Sequence, residues 1–329
     1  MRRKNIVVIG GGTGTYTVLS GLKKYPVNLT AIVSMADDGG SNRVIRDEFG
    51  LLPTSDIRQC LVALAEENGE SEKIMRSLFL HRFSRGKGIK GMTFGNLFMA
   101  ALSDILGSQS EAIKSTSKIL KIRGSVIPVT LDNVRLVAEY ENGETVVGEH
   151  LVDEPKHDGT IRITRAFLRP RARANPEAIK AILNAHMVIL GPGDLYTSLV
   201  ANLLVQGISQ ALCKTRAKVV YILNLMTRYG QTYGFSARDH VVVLAQYLGR
   251  ARIDGIVVNS EPLPKNVLKK YKNEKSAPVV DDFQDTHTQI MRFPLVQEKE
   301  YKKMGGDILQ RSFIRHDSDK LAKVLLSFL

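Results

Sequence analysis

Short runs rich in valine and isoleucine recur along this chain, and each stops at a cluster of glycine, aspartate, asparagine or proline. Most of them are followed by a segment in which apolar residues have helical spacing. Such runs hardly alternate with polar residues, which is typical of strands buried on both faces of a parallel sheet. The runs cover residues 5–9, 29–34, 187–190, 219–223 and 256–258. This alternation predicts an α/β fold with a doubly wound, mostly parallel sheet.

The middle of the chain, at about residues 71–170, departs from this pattern. Residues 71–120 have helical spacing, whereas residues 125–168 resemble antiparallel strands. Residues 134–140 alternate, residues 141–144 predict a turn, residues 145–151 return, and residues 161–167 add a strand. We therefore predict one α/β domain over residues 1–329, with an insertion of helices and a small antiparallel β-meander.

Charge and cysteine content narrow the classes of function. The formal net charge of +13 favours anionic partners such as nucleic acid, phosphorylated metabolites or acidic membrane surfaces. No uncharged apolar run reaches the roughly 18 residues of a membrane span, and the apolar part of the N-terminal segment is too short for a signal peptide. Cys60 and Cys213 both lie among apolar residues, so we expect buried, reduced thiols, as in a cytoplasmic protein.

A glycine-rich loop follows the first predicted strand and opens a helix. It consists of Gly10, Gly11, Gly12, Thr13 and Gly14. Glycines let a ligand approach the backbone, and a helix N-terminus offers N–H groups to phosphate. The dinucleotide pattern GxGxxG is incomplete in either register and no GxxxxGK[ST] motif is present, which argues against NAD(P). A tight turn without a ligand is the alternative.

Two adjacent carboxylates follow the second strand, in the run Asp37, Asp38, Gly39, Gly40 and Ser41. One carboxylate could hold Mg²⁺ or a substrate hydroxyl while the glycine backbone meets a phosphate. A solvated Asp-Gly turn is the alternative. The position of these acids, at the carboxyl end of an interior strand, favours the ligand site.

A second glycine loop follows the most apolar strand. Its candidate ligand residues are Gly191, Gly193, Asp194, Tyr196, Thr197 and Ser198. The Gly-Pro-Gly backbone is expected to expose N–H groups, and the two hydroxyls add donors, which makes a phosphate site without a lysine. Asn202 follows about two turns into the next helix, on a spacing of roughly 3.6 residues per turn.

Further polar residues lie at the ends of other predicted elements. Asn224 ends a strand, Asn96 either caps a helix or binds a ligand, and Arg315 could clamp a diphosphate. In open α/β sheets, ligands bind outside the carboxyl ends of the strands. We therefore expect these loops to converge on one crevice that holds an anionic, phosphorylated small molecule.

Other chemistries receive less support. No histidine or cysteine spacing indicates zinc, and His316 beside Asp317 is weak support for an acid–base pair because sequence neighbours rarely form one. The arginine run at residues 162–173 is interpreted as a solvated face, with anion steering or a subunit contact as alternatives. We interpret the run as lacking interleaved aromatics, and it carries no recognisable nucleic-acid module, which argues against a nucleic-acid partner.

Taken together, these motifs resemble the YvcK/CofD-like family. The matching segments run in the family's order over nearly the whole chain. They are VVIGGGTGTYTVLSGLK, SMADDGGSNRVIRDEFG, SDIRQCLVALAEE, GNLFMAAL, GPGDLYTSLVANLLVQGI, NLMTRYGQTYGFSARDHV, IVVN and IRHD. The segments SMADDGGS, DIRQCLVAL and GPGDLYTS are closer to the YvcK branch than to the CofD branch.

The resemblance implies a Rossmann-like, cytoplasmic, dimeric nucleotide-binding protein. The YvcK branch resembles regulatory proteins that bind UDP-sugars, above all UDP-N-acetylglucosamine, and that serve gluconeogenic growth, wall synthesis and cell shape. Asn202 and Arg315 match positions tied to UDP-sugar binding. The CofD branch implies a different function, a Mg²⁺-dependent transferase that moves a phospholactyl-type group from a guanosine diphosphate donor to a deazaflavin alcohol. The lack of an evident nucleophile or general base favours the binding protein.

The chain departs from the YvcK pattern at a few positions near the expected crevice. Arg43 and Val44 replace a glycine and an arginine, and Thr54-Ser55 replaces Pro-Gly. Asp194 stands where a serine is common, and an extra carboxylate there would repel an anion unless a cation or an arginine pairs with it. These changes bear on the identity of the ligand, not on the fold.

Overall fold

The structure, a computed structural model, describes residues 3–284, 288–297 and 312–329. Its strands, in chain order, are β1 (Asn5–Gly10), β2 (Asn28–Val33), β3 (Ser125–Pro128), β4 (Arg135–Tyr140), β5 (Thr145–Val147), β6 (Ile163–Arg169), β7 (Met187–Leu190), β8 (Lys218–Ile222), β9 (Gly255–Asn259) and β10 (Gln289–Phe293). Seven of them form one sheet in the order β10-β9-β8-β7-β1-β2-β3, and all neighbours are parallel. The predicted doubly wound α/β sheet is confirmed.

Helices connect the strands and flank the sheet. They are α1 (Gly12–Leu22), α2 (Gly40–Phe49), α3 (Ser55–Leu64), α4 (Glu70–Leu80), α5 (Phe94–Leu106), α6 (Gln109–Ile119), α7 (Glu149–Asp153), α8 (Pro176–Leu183), a π-helix (Leu195–Val200) that continues into α9 (Ala201–Leu203), α10 (Ile208–Lys214), α11 (Ala237–Leu248), α12 (Lys265–Asn273) and α13 (Ser318–Leu326). Helix α1 packs against α3 and α13. The central strand β1 is buried from Ile6 onward, with Ile6, Val8 and Ile9 at 0% exposure.

The chain winds outward from the middle of the sheet in both directions. Strand β1 pairs with β2 on one side and with β7 on the other, so that Ile6 lies between Leu29 and Met187. The chain first adds β2 and β3, and later adds β7 to β10 on the opposite side of β1. The strand order therefore reverses between β1 and β7, which is where α/β sheets of this kind leave room for a ligand.

The inserted region differs in part from the prediction. Strand β3 joins the parallel sheet beside β2, whereas only β4, β5 and β6 form the small antiparallel sheet. The returning strand ends at Val147 and residues 149–153 are helical, so the prediction of a strand to residue 151 is wrong. Gly148 ends the strand with a φ of 119°, in the region that favours glycine. The Asp38 carboxylate then accepts the His150 N–H at 3.0 Å, which holds the start of α7.

The prediction of buried cysteines is only half correct. Cys60 is buried in α3, but Cys213 is exposed. On α10, Ile208, Ala211 and Leu212 take the buried face, which leaves Cys213 on the face toward solvent. In the described part of the chain, no helix combines the length and apolar character that crossing a membrane requires.

Candidate functional site

A crevice of about 500 Å³ opens at the carboxyl ends of the central strands, at the reversal of strand order. The loops that follow β1, β2, β7 and β8 all contribute to it, as the sequence predicted, whereas the loop after β9 was also expected there and does not line it. From the predicted set, its lining includes Gly11, Gly12, Thr13, Gly14, Asp37, Gly39, Gly40, Ser41, Gly193, Asp194, Thr197, Ser198, Asn224 and Arg315. These residues are far apart in sequence and are brought together by the parallel order of the strands.

The first glycine loop packs tightly against the second. A Cβ built on Gly14 would overlap the carbonyl oxygen of Pro192 and stand 2.6 Å from its carbon. Only a glycine at position 14 therefore allows α1 to approach the loop after β7 so closely. Gly12 is different, because its φ of 61° favours glycine although no heavy atom lies within 4 Å of a Cβ built there.

Side chains already bind several of the backbone amides that the sequence analysis expected to be exposed. The Gly12 N–H donates to Asp56 Oδ1 at 2.9 Å, which places a carboxylate at the N-terminus of α1. The Gly193 N–H donates to Asn224 Oδ1 at 3.3 Å. The expectation of free N–H groups is therefore wrong at Gly12 and Gly193.

The start of the π-helix is held in the same way. Gln231 Oε1 accepts the N–H groups of Tyr196 and Thr197 at 3.3 and 3.4 Å, so these two amides are not free either. Gln231 Nε2 in turn donates to Asp153 Oδ1 at 3.1 Å and to Thr197 Oγ1 at 3.3 Å. One buried amide side chain thus ties the π-helix to α7 of the insertion.

The adjacent carboxylates of Asp37 and Asp38 face different parts of the molecule, the crevice and the insertion. Asp37 lines the crevice, and its two oxygens accept the Gly39 N–H at 2.9 Å and Asn42 Nδ2 at 2.6 Å. Asp38 points to the insertion, where it accepts the His150 N–H. Of the two carboxylates, Asp37 is therefore the one placed to meet a ligand.

Thr54-Ser55, which departs from the YvcK pattern, is bound by Asn42 of α2. Asn42 Oδ1 accepts the N–H groups of Thr54 and Ser55 at 3.1 and 3.2 Å, and the Ser55 hydroxyl at 3.0 Å. A second departure near the crevice, Asp194, lies close to Arg228. Although burial lowers the pKa of Arg228, the carboxylates of Asp153 and Asp194 raise it above the ordinary value. An arginine therefore offsets the extra carboxylate.

Helix α7 adds acidic groups that the sequence analysis did not assign to the site. Glu149 is half-buried and lines the crevice. Burial raises its pKa well above the ordinary value of 4.5, and the nearby carboxylates of Asp37, Asp153 and Asp56 raise it further. In the stretches that the structure describes, the Glu149 carboxyl forms no hydrogen bond. Replacing it with an amide therefore removes none.

We expect Glu149→Gln to be more stable than the wild type at neutral pH. Because the folded-state pKa of Glu149 is raised, protonation of this carboxyl stabilises the folded protein. Its contribution to the free energy of unfolding is complete below the unfolded-state pKa of about 4.5 and is lost as pH rises through the folded-state pKa. The free energies of unfolding in urea should therefore agree in acid and separate as pH increases. Glu48→Gln, at an exposed position on α2, is the control and should match the wild type throughout. A gap that narrows with rising pH would contradict this assignment.

A partly buried ion pair closes one side of the crevice. Arg228 donates to both Asp153 oxygens, with Nε at 3.2 Å and Nη2 at 3.0 Å. Arg228 comes from the loop after β8 and Asp153 from the end of α7. The two-pronged contact therefore fixes the insertion against the sheet, and bidentate pairs of this kind are among the stronger polar contacts.

The charged and polar residues of the C-terminal motif, Arg315, His316 and Asp317, have three different roles. Arg315 lines the crevice, as predicted. Asp317 Oδ1 accepts the N–H groups of Asp319 and Lys320 at 2.9 Å each, so it caps α13 and does not pair with His316. Burial lowers the pKa of His316 to about 4, which leaves that imidazole neutral near pH 7. No acid–base pair forms here.

Other predicted residues lie beneath or behind the crevice. Asn202 is fully buried, and its Nδ2 donates to the carbonyl oxygens of Gly10 and Ser198 at 3.1 and 2.7 Å. Asn96 is also fully buried and ties α3 to α5 through Arg58. The Tyr196 hydroxyl donates to the Ile163 carbonyl of the small sheet. These side chains position the loops and do not themselves line the crevice.

The sequence analysis missed several residues of the crevice. They are Ser34, Ser55, Asp56, Arg82, Glu149, His150, Asp153, Arg228, Tyr271 and Glu274. Most of them lie on helices or in the insertion, where no local motif marks a site. Asp56 was recognised only as an acid that favours the start of its own helix, because the contact with Gly12 spans 44 positions.

The fold and the crevice define an α/β protein with a ligand site at the reversal of strand order in a parallel sheet. A family model described as 2-phospho-L-lactate transferase CofD matches residues 6–298. The chain therefore belongs to the CofD family.

Full-length relatives place the chain more closely within this family. It is 40% identical over 331 residues to the Gluconeogenesis factor of Bacillus subtilis, covering 100% of this chain and 99% of that protein. It is 38% identical to the Gluconeogenesis factor of Halalkalibacterium halodurans, covering 99% and 97%. A crystal structure of a UPF0052 family member from Bacillus halodurans superposes with a TM-score of 0.88 at 36% identity, covering 99% of each chain. The resemblance to the YvcK/CofD-like family is confirmed.

Proposed function

We propose that this chain is a gluconeogenesis factor that binds a UDP-sugar, above all UDP-N-acetylglucosamine, in the crevice. The observation that carries the proposal is the meeting of the two glycine loops at the reversal between β1 and β7. Nucleotides bind at this position in open α/β sheets, with phosphates against glycine loops and helix N-termini.

The mixed character of the lining supports a ligand with several chemical parts. Arg82 and Arg315 line the crevice and bring cations near a diphosphate. Carboxylates such as Asp37 and Glu149 can accept hydrogen bonds from sugar hydroxyls. Leu225, Met226 and Tyr271 offer an apolar surface to a base. A sugar nucleotide uses all three surfaces, whereas inorganic phosphate uses one.

The names of the relatives support a regulatory role in carbon metabolism. A protein that binds a precursor of the cell wall without consuming it could report the supply of that precursor. We therefore extend the proposal to a cytoplasmic regulator that links gluconeogenic growth to wall synthesis and cell shape.

Calorimetry with UDP-N-acetylglucosamine tests the binding proposal. We expect saturable binding that Arg315→Ala weakens about 10- to 100-fold, which corresponds to the loss of one hydrogen bond to a charged group. Asn202→Ala should also weaken binding, because it releases the carbonyls of Gly10 and Ser198 that shape the two loops. Arg250→Ala, at an exposed position between α11 and β9, should bind like the wild type. Absent binding, or equal affinity in all four proteins, would contradict the proposal.

The family match favours a second candidate, a CofD-like transferase that uses Mg²⁺. Asp37 is the carboxylate placed to hold the ion, but both of its oxygens already accept hydrogen bonds. Within the described residues, no group of three or more His, Cys, Asp or Glu side chains is arranged to hold a metal. A bound Mg²⁺ would neutralise charge that develops on a transferred phosphoryl group. Turnover of a guanosine diphosphate-linked donor in Mg²⁺, lost in Asp37→Asn, would favour this candidate over the regulator.

A further inference from the structure

The outer face of the small antiparallel sheet concentrates arginines around one aromatic ring. Along β6, the buried residues Ala166 and Leu168 alternate with outward-facing Arg165, Phe167 and Arg169. The arginine run therefore does contain an interleaved aromatic residue, which the sequence analysis overlooked. We call Arg135, Arg165, Phe167 and Arg169 the arginine face.

Both arginines of β6 lie over the ring between them. The guanidinium carbon of Arg165 is 5.1 Å from the centre of the Phe167 ring, and that of Arg169 is 5.7 Å from it. Cation–π contacts at exposed sites contribute about 0.5–1 kcal/mol each, which favours these positions of the two guanidinium groups. The Phe167 ring therefore keeps the two arginines of β6 near one another on the outer face of the sheet.

Positive charge on this face is poorly compensated. Arg135 of β4 lies directly opposite Arg169 in the register of the sheet, and like charges in that position repel. Arg165 has Glu139 at 3.8 Å. Among the described residues, no carboxylate forms an ion pair with the side chain of Arg135 or Arg169. An external anion would relieve this repulsion.

We propose that the arginine face binds an extended, acidic segment of a partner protein. Arg165 and Arg169 are four residues apart on β6, a separation of about 13 Å, and carboxylates four residues apart on an extended peptide have the same spacing. Guanidinium groups favour carboxylates because they can donate two parallel hydrogen bonds.

Other partners fit this face less well. Stacking of nucleobases needs an open aromatic face, whereas the Phe167 ring is covered by two guanidinium groups. A second copy of this chain would bring the same arginines together. The proposal is independent of the crevice, because no residue of the arginine face lines it.

Fluorescence anisotropy with a labelled peptide that alternates glutamate and threonine over about ten residues tests the proposal at low salt. We expect saturable binding that Arg165→Glu/Arg169→Glu weakens at least about 10-fold. Phe167→Ala should weaken it by about 3- to 10-fold, since the guanidinium groups lose their support. Lys269→Glu/Lys272→Glu, which makes the same charge change on exposed positions of α12, should change affinity less than about twofold.

Several results would overturn the proposal. One is the absence of peptide binding, and another is an equal loss in the two double variants, which would indicate attraction by net charge alone. A third is tighter binding of single-stranded oligouridine that depends on Arg165 and Arg169, which would assign the face to nucleic acid. Circular dichroism of each variant verifies folding, and Arg165→Ala/Arg169→Ala replaces the glutamate pair if that pair does not fold.

Discussion

Gly14→Ala is expected to abolish the proposed binding of UDP-N-acetylglucosamine, with a loss of more than about 100-fold in affinity. The added methyl group would overlap the Pro192 carbonyl, which is backbone and cannot swing away as a side chain can. The two glycine loops would have to separate, and the crevice lies between them. If this separation of the loops removes about 3 kcal/mol of binding free energy, the affinity falls by somewhat more than about 100-fold. Calorimetry measures it directly.

Gly107→Ala, at the C-terminal end of α5 and outside the crevice, provides the matched control for this prediction. Its Cβ would meet no heavy atom within 4 Å, so the cost is confined to a φ of 62°, about 1–2 kcal/mol. Urea unfolding of both variants separates lost binding from lost folding. If Gly14→Ala keeps the affinity and the stability of the wild type, the close packing of the loops is not what shapes the crevice.

Asp153→Ala is expected to lower the free energy of unfolding by about 2–3 kcal/mol. The substitution leaves the guanidinium of Arg228 without the carboxylate that receives its two hydrogen bonds. It also removes an acceptor of Gln231, which holds the start of the π-helix. Removing one partner of such a pair costs more than the pair contributes, because the remaining charge stays partly buried. Urea unfolding at pH 7 measures the change.

The adjacent acid gives the control. Glu154 is 61% exposed at its side chain, and Glu154→Ala should change stability by less than about 0.5 kcal/mol. A double-mutant cycle with Arg228→Met isolates the pair, and we expect a coupling energy of about 1.5–3 kcal/mol. A coupling energy near zero would show that the contact between α7 and the loop after β8 adds no stability.

The crevice contains more carboxylates than a plain anion site would need. Asp37, Asp56, Glu149, Asp153 and Asp194 all line it. Asp56 and Asp153 are engaged with Gly12 and Arg228, and Asp194 lies near the same arginine. These carboxylates therefore serve mainly to fix the loops by accepting hydrogen bonds. The arginines of the crevice supply the positive charge for the proposed diphosphate.

The interior strands could be predicted from the sequence because each is buried on both faces and therefore appears as an unbroken apolar run. Strand β7 agrees with its predicted run at both ends, and β1, β2, β8 and β9 agree to within one residue at each end. The edge strand β10 was not predicted, because a strand with one neighbour stays partly exposed and needs no such run. Strand β3 was assigned to the wrong sheet, since four apolar residues do not specify a neighbour.

By itself, the sequence determined the parallel α/β architecture, the family and the loops that surround the crevice. Those features are local, since burial of a strand and the turn after it are recorded in consecutive residues. Only the tertiary structure decided which atoms face a ligand. It placed Asn202 and Asn96 beneath the loops, bound the amides of Gly12 and Gly193 to side chains, and brought Glu149 into the crevice. The physical reason is that these contacts join segments distant in sequence, and their distances depend on how helices and the insertion pack, which no short motif encodes.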